Sequence, residues 1–378
     1  MLRFCPLPEL MGWMPSPETA SQCAMVELSK PPKRKRASMS EGIIIGVDLA
    51  KNVFQLHGAR RDGRVLFRKK LTRAQFRVFC EGHPKCLMAM EACSTSHYWA
   101  RELQAMGHDV RLLPPLYVKP FVKRNKNDAA DAEAITEAAL RPSMSFVAPK
   151  SADQQAATMM MRTRDQLLEQ RTATVNALRG HLAEFGIIAP VGIKNVSKLR
   201  SILANASDIP TLVTEMAKLH FDRIDSLSCE IEALAAKINN HCRESDTAKR
   251  LRSMPGIGPI AAMVIEAFAP DMAHFEKGRD FAAWLGLVPK QHSSGGKIRL
   301  GQTSKMGQRD IRRVLITGAM SRIAGYARQN SRAEPWLQDK LDRKPKMVAA
   351  IALANKMARQ IWAMITKEEK YLPRAVAT

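Results

Sequence analysis

Acidic residues are in short supply in this chain of 378 residues: 36 Asp and Glu stand against 59 Lys and Arg, a formal net charge of +23. With an isoelectric point near 10.0, that imbalance implies a polyanionic partner, for which nucleic acid is the natural choice. Long apolar runs are missing as well. No stretch reaches the roughly 18 uninterrupted residues of a membrane-spanning helix, which argues against a membrane role. The first 25 residues carry Glu9, Glu18 and Pro6, Pro8, Pro15 and Pro17 without a continuous apolar core, so no secretory signal is expected. Cysteine is sparse and scattered. Of the seven, Cys80, Cys86 and Cys93 are widely spaced with no matching histidine set, a pattern of reduced cytosolic thiols and not of zinc ligands. General disorder is excluded in turn, because 46% of the residues are hydrophobic and the length suffices for two or three domains.

Against this basic background four carboxylates carry chemistry. Asp48 closes the apolar run Ile43-Ile44-Ile45-Gly46-Val47, and Glu91 closes Cys86-Leu87-Met88-Ala89-Met90, so both read as ends of buried strands. Asp128 and Asp131 open an alanine-rich helical stretch, and a spacing of three sets them on one face. Two acids at strand ends and two on a helical face could hold a pair of Mg²⁺ ions roughly 4 Å apart, the geometry of displacement at phosphorus. Magnesium takes carboxylates, water and substrate phosphate, so a set without His or Cys suits it.

Around these acids, residues 42–145 read as a mixed α/β unit. The Asp48 strand leads into a three-strand meander through Val53–His57 and Val65–Phe67, with Arg61-Asp62-Gly63-Arg64 as a turn. Thr72 can cap a helix running to Phe79. The Glu91 strand, a helix over Ser96–Met106, a strand over Val110–Leu113 and the acidic helix complete the order β-β-β-α-β-α-β-α. Before this unit, residues 1–41 hold the cluster Lys30-Pro31-Pro32-Lys33-Arg34-Lys35-Arg36 and read as a flexible basic tail.

Residues 146–250 are expected to be dominated by two long helices, 151–185 and 211–241, joined by a link from Pro190 to Pro210. Ile224, Leu227, Ile231, Leu234 and Ile238 alternate spacings of three and four, a coiled-coil seam. Ala157, Met161, Leu168, Val175, Leu178, Leu182 and Phe185 follow the rule less strictly. An antiparallel hairpin that also brings copies together is the expectation.

Residues 251–370 read as a third, mainly helical domain. Met254-Pro255-Gly256-Ile257-Gly258-Pro259 allows two readings: a helix-hairpin-helix element in which Gly256 and Gly258 let the backbone approach a phosphate, or a plain interhelical turn. From Lys290 to Arg328 there are nine Lys and Arg against the single acid Asp310, surrounding Ser293-Ser294-Gly295-Gly296. Phosphate binding is the favoured reading of that run, with Lys297, Arg299, Lys305, Arg312 and Arg313 as nucleic-acid contacts.

Taken together, these segments resemble the insertion-sequence "one-ten" family of transposases, the bridge-RNA-guided recombinases. The resemblance covers roughly residues 42–325. It is carried by Gly46-Val47-Asp48, Met90-Glu91-Ala92 and Lys126-Asn127-Asp128-Ala129-Ala130-Asp131, then by Pro255-Gly256-Ile257-Gly258-Pro259, Trp284-Leu285-Gly286-Leu287-Val288-Pro289, Ser293-Ser294-Gly295-Gly296-Lys297 and Gly301-Gln302-Thr303-Ser304-Lys305-Met306-Gly307. The tail before Glu41 falls outside the pattern, so Met25 and Met39 are alternative starts. The resemblance implies an α/β plus α architecture: a RuvC-like, ribonuclease-H-fold domain bearing the acids, a coiled-coil hairpin and a helical transposase domain. It also implies a serine nucleophile that links transiently to a DNA phosphate beside Mg²⁺. Ser294 best matches the family serine and Ser293 is its rival. The implied partners are element-end and target DNA, a structured non-coding RNA that supplies sequence specificity, and further copies of the chain in a dimer or tetramer. The implied setting is the bacterial cytoplasm, on the nucleoid. Two other classes compete: a metal-only nuclease of the Holliday-junction-resolvase kind, which has no need of the serine domain, and a non-catalytic nucleic-acid binder.

Overall fold

The computed structural model describes residues 42–122 and 128–372. The basic tail and Lys126-Asn127 lie outside them, and Asp128 is described only as the first residue of a helix.

Strands β1 (Ile43–Leu49), β2 (Val53–Arg60) and β3 (Val65–Thr72) form the antiparallel meander, and β4 (Leu87–Glu91) and β5 (Asp109–Leu113) continue the sheet in parallel, in the order β3-β2-β1-β4-β5. Helix α1 (Arg73–Gly82) starts at Thr72, which forms a capping box with Gln75. Helix α2 (Ser96–Ala105) follows β4, the short α3 (Pro115–Val118) follows β5, and α4 (Asp128–Leu140) carries the acids. Alternation along the strands divides the apolar residues between the two faces. Ile45, Val47, Phe54, Leu56, Met88 and Met90 pack under Phe76 and Cys80 of α1 and Trp99 and Leu103 of α2. Ile44, Ala59, Leu87, Ala89 and Leu113 pack under Ala134, Ile135, Ala138 and Ala139 of α4. Burial in this unit pushes the Cys80 thiol up to about 12 and Cys86 to about 11, so both stay protonated and unreactive near neutrality.

Two long helices follow, α5 (Ala152–Ala183) and α7 (Thr211–Glu244), with α6 (Val196–Ala204) between them. They run antiparallel: Val175, Leu178 and Leu182 meet Ala217, Phe221 and Ile224, while at the far end Met161 meets Ile238 and Cys242. The expected seam is buried at Ile224, Leu227, Ile231 and Ile238, and Leu234 is half-buried. Two expectations need correcting. Phe185 lies past the end of α5 and is 42% exposed, because the chain turns at Gly186, whose φ is +70°. The segment 190–210 is more than a link, since Val196, Leu199 and Leu203 of α6 close the end of the helix pair.

The remaining elements are α8 (Asp246–Arg252), α9 (Pro259–Phe268), α10 (Gly278–Trp284), a hairpin of β6 (Pro289–Gln291) and β7 (Leu300–Thr303), α11 (Arg309–Arg328), α12 (Pro335–Arg343) and α13 (Lys346–Thr366). They share a core built from α9, α11 and α13, into which Met161 of α5 also reaches. The hairpin is an addition to the mainly helical expectation. No helix among the described residues is long and apolar enough to cross a membrane.

A bidentate pair fastens α5 to the start of α11. Arg162 donates through Nη1 and Nη2 to the Asp310 carboxylate at 3.2 and 2.7 Å, and Asp310 is only 6% exposed. Its position in the first turn of α11 adds the favourable field of a helix N-terminus. Asp310→Ala is expected to destabilise the chain by about 1–3 kcal/mol, chiefly by removing the bidentate bond that a buried carboxylate makes to Arg162. A denaturant midpoint equal to that of the wild type would contradict this.

Candidate active site

The parallel register pairs Val47 of β1 with Met90 of β4, so the next residues, Asp48 and Glu91, stand side by side at the strand ends. Neighbouring strands lie roughly 4.8 Å apart. Asp48 follows Gly46 by two residues and Glu91 follows Ala89 by two, so both acids share the sheet face covered by α4. Both are half-buried.

Gly46 sets how closely α4 approaches. A Cβ at this position would collide with Thr136 Oγ1 and lie 2.5 Å from the Ala132 carbonyl oxygen and 2.9 Å from Thr136 N. Thr136 in turn donates to the carbonyls of Ala132 at 2.9 Å and His57 at 3.2 Å, tying the helix to the neighbouring strand. Asp128, Ala132 and Thr136 recur every four residues, so Asp128 belongs to the helix face that meets Gly46, and Asp131 is its half-buried neighbour. The fold therefore sets Asp48 and Glu91 side by side at strand ends, on the sheet face covered by the helix that opens with Asp128 and Asp131. Among the described residues, no three His, Cys, Asp or Glu side chains close into a metal-sized cluster. The donor set itself, carboxylates at a half-buried edge, fits a hard divalent cation.

Ser294 sits at the tip of the β6–β7 hairpin. Ser294 and Lys297 exchange backbone hydrogen bonds at 3.3 and 3.0 Å across Gly295-Gly296, whose φ values of +55° and +74° make the two-residue turn that glycine favours. The two serines differ sharply. The Ser293 hydroxyl donates to Gln291 Oε1 at 2.8 Å and accepts from Arg299 N at 3.0 Å, so it is part of the hairpin. The Ser294 hydroxyl is exposed and has no hydrogen-bond partner among the described residues.

Two glycine contacts fix the base of this hairpin. A Cβ on Gly286 would strike the Met306 carbonyl, and one on Gly307 would strike the Trp284 carbonyl. Lys305 N donates to Gly286 O at 3.2 Å and Ser304 N to Val288 O at 2.8 Å. Lys305 itself holds a left-handed φ of +54°, a conformation that costs a residue with a side chain. Arg312 Nη1 donates to Leu285 O at 2.9 Å and Met306 O at 3.4 Å, and Arg313 donates to Asp165 at 2.6 Å. Both guanidiniums thus have partners within the chain, whereas Lys297 and Arg299 are exposed beside Ser294. Gly256 faces the α11 backbone: a Cβ there would lie 2.8 Å from Gly318 O, so its glycine is demanded by packing, while Gly258 opens on space. Gly318 and Arg162 were not among the expected functional positions, since only their distant partners give them meaning.

Residues 45–187 match a transposase family model of the DEDD type, and residues 248–334 match the model described as "Transposase IS116/IS110/IS902 family". The chain is 47% identical over 332 residues to the "Probable family 20 transposase" of Pseudomonas aeruginosa, covering 87% of this chain and 98% of that protein. It is 40% identical over 324 residues to the transposase of insertion sequence element IS1328 of Yersinia enterocolitica, covering 86% and 97%, and 37% identical over 349 residues to that of IS1111A of Coxiella burnetii, covering 90% and 94%. On these two family matches and on relatives 37–47% identical over most of its length, the chain belongs to the IS110/IS116 family of insertion-sequence transposases.

Proposed function

We propose that this transposase cuts and rejoins DNA through Ser294, with Mg²⁺ at the four acids and a structured non-coding RNA choosing the sites. The observation that carries the reading is the exposed Ser294 hydroxyl, presented on a glycine turn between basic side chains while Ser293 is held in the hairpin. Attack by a serine oxygen conserves the phosphoester in a covalent intermediate, so strands can be rejoined without ATP. Asp48, Glu91, Asp128 and Asp131 would hold the metal, whose chemistry is charge neutralisation at phosphorus and acidification of a nearby hydroxyl. On this reading residues 42–145 form a RuvC-like, ribonuclease-H-fold domain, 146–250 the helical hairpin and 251–370 the transposase domain. Guidance by RNA rests on the resemblance and on the net charge of +23, which suits a protein that grips backbone and shape. Association of copies belongs to the same reading, because exchange needs several strands cut in one complex.

Denaturing electrophoresis after incubation with labelled element-end DNA, guide RNA and Mg²⁺ tests the proposal. Label that migrates with the protein supports it; cut DNA without such an adduct would favour the metal-only nuclease. Asp128→Asn or Asp131→Asn is expected to slow cleavage by about 10²-fold or more. DNA retention should hardly change, since one carboxylate matters little against the overall charge. Unaltered cleavage in both variants would remove the helix acids from the mechanism.

A further inference from the structure

The two faces of the serine hairpin differ in chemistry. Gln291 pairs with Leu300, His292 N donates to Arg299 O at 2.8 Å, and Ser294 pairs with Lys297, one continuous register up to the turn. Alternation then places Lys290, His292, Ser294, Lys297 and Arg299 on one face and Gln291, Ser293, Ile298 and Leu300 on the other. Gly301 marks the first face independently. A Cβ built there would lie 2.8 Å from Cδ2 and Nε2 of the His292 ring and 3.6 Å from Lys290 Cβ, so the ring is seated over a glycine. His292 is therefore exposed on the same side as Ser294 and two residues away, roughly 6.6 Å along the strand.

We propose that His292 is the general acid for strand cleavage, delivering a proton to the oxygen that leaves when Ser294 attacks. This rests on the reading of Ser294 as nucleophile. In the step, a bond forms between Ser294 Oγ and phosphorus, and the bond from phosphorus to the leaving strand's oxygen breaks with its electron pair on that oxygen. The proton of the His292 imidazolium moves to that oxygen, and the Ser294 hydroxyl proton passes to water. In rejoining, neutral His292 takes the proton from the incoming strand hydroxyl while Ser294 recovers one, so the cycle balances. In-line displacement sets the nucleophile and the leaving oxygen on opposite sides of phosphorus, and the two-residue spacing leaves room for a phosphate with one group on each side. Lys290, Lys297 and Arg299 share the face and suit the non-bridging oxygens. Histidine is the side chain able to give and take a proton near neutrality.

The test uses the full chain with its guide RNA and duplex DNA carrying an element end. Bridging sulfur replaces the 3′ oxygen of the scissile linkage in one substrate and the 5′ oxygen in another, because a thiolate leaves without a proton. On all-oxygen DNA, His292→Ala is expected to form adduct about 10²-fold more slowly than wild type. On one of the two sulfur substrates it should come within a few-fold of wild type. Gly301→Ala, which displaces the ring and leaves every side chain of the basic face in place, should show a smaller loss with the same rescue. His292→Ala that matches wild type on oxygen, or is equally slow on all three substrates, overturns the assignment. Ser294→Ala should stay inactive on every substrate; adduct formation by that variant would defeat the nucleophile reading itself, and rescue of His292→Ala would still report on the acid.

Discussion

Ser294→Ala is expected to leave no covalent protein–DNA adduct and no rejoined product, with DNA retained as tightly as by wild type. The only atom removed is an exposed hydroxyl oxygen that has no hydrogen-bond partner among the described residues, so the hairpin loses no hydrogen bond there. Ser293→Ala has the opposite character. It deletes the hydrogen bond to Gln291 on its own strand and the one from Arg299 N across the turn. Each is worth about 1 kcal/mol, so a looser hairpin and a rate lower by about tenfold are expected, with the adduct still formed. Gel-shift titration alongside denaturing electrophoresis separates the two outcomes. An adduct that survives in Ser294→Ala and disappears in Ser293→Ala would reverse the assignment.

Much of the sheet was legible in the residues because burial there is one-dimensional. Apolar runs ending in Asp48 and Glu91, a Gly-bearing turn and a Thr72 cap are local signals, and each appears where expected. Adjacency of the two acids follows from parallel pairing of β1 and β4, which local periodicity leaves open. The β6–β7 hairpin was harder to read. Its Lys, Gln, Ser and Gly residues have weak strand preference and are almost entirely exposed, so no alternation of apolar residues announces it. Arg312 and Arg313 read as nucleic-acid contacts within a basic run, and local sequence could not show that they also bond to carbonyls of the chain and to Asp165 on an element nearly 150 positions earlier. Helix α6 escaped notice because Pro and Gly on its approach suggested a linker, and its burial comes only from the end of the α5–α7 pair. For α6 and for the Arg313–Asp165 pair the cause is shared: the partner lies far along the chain or on another element.

Gly46 shows the same dependence at the acids, and Gly46→Ala is the substitution expected to do most damage to the fold and the site together. The new methyl would occupy the space of Thr136 Oγ1 and press on the Ala132 carbonyl 2.5 Å away. One of those atoms is helix backbone, so rotation of a side chain cannot relieve the clash and α4 must move off the sheet. Overpacking of this kind costs about 1–3 kcal/mol, to which the Thr136 hydrogen bonds to Ala132 and His57 add if the helix shifts. The displacement acts on Asp128 and Asp131 directly, because both ride on the first turns of that helix. A shift of about 1 Å in such groups can lower a rate by about 10²-fold. Chemical denaturation should therefore show a lower midpoint, and cleavage should fall far more than DNA retention. Thr136→Ala in the Gly46→Ala background removes one of the three collisions, leaving those with the Ala132 carbonyl and Thr136 N, and should restore part of the stability. Activity should recover less, since the Ala132 carbonyl still holds the helix away. A Gly46→Ala protein with wild-type stability and cleavage would mean that the spacing between β1 and α4 does not govern the acids.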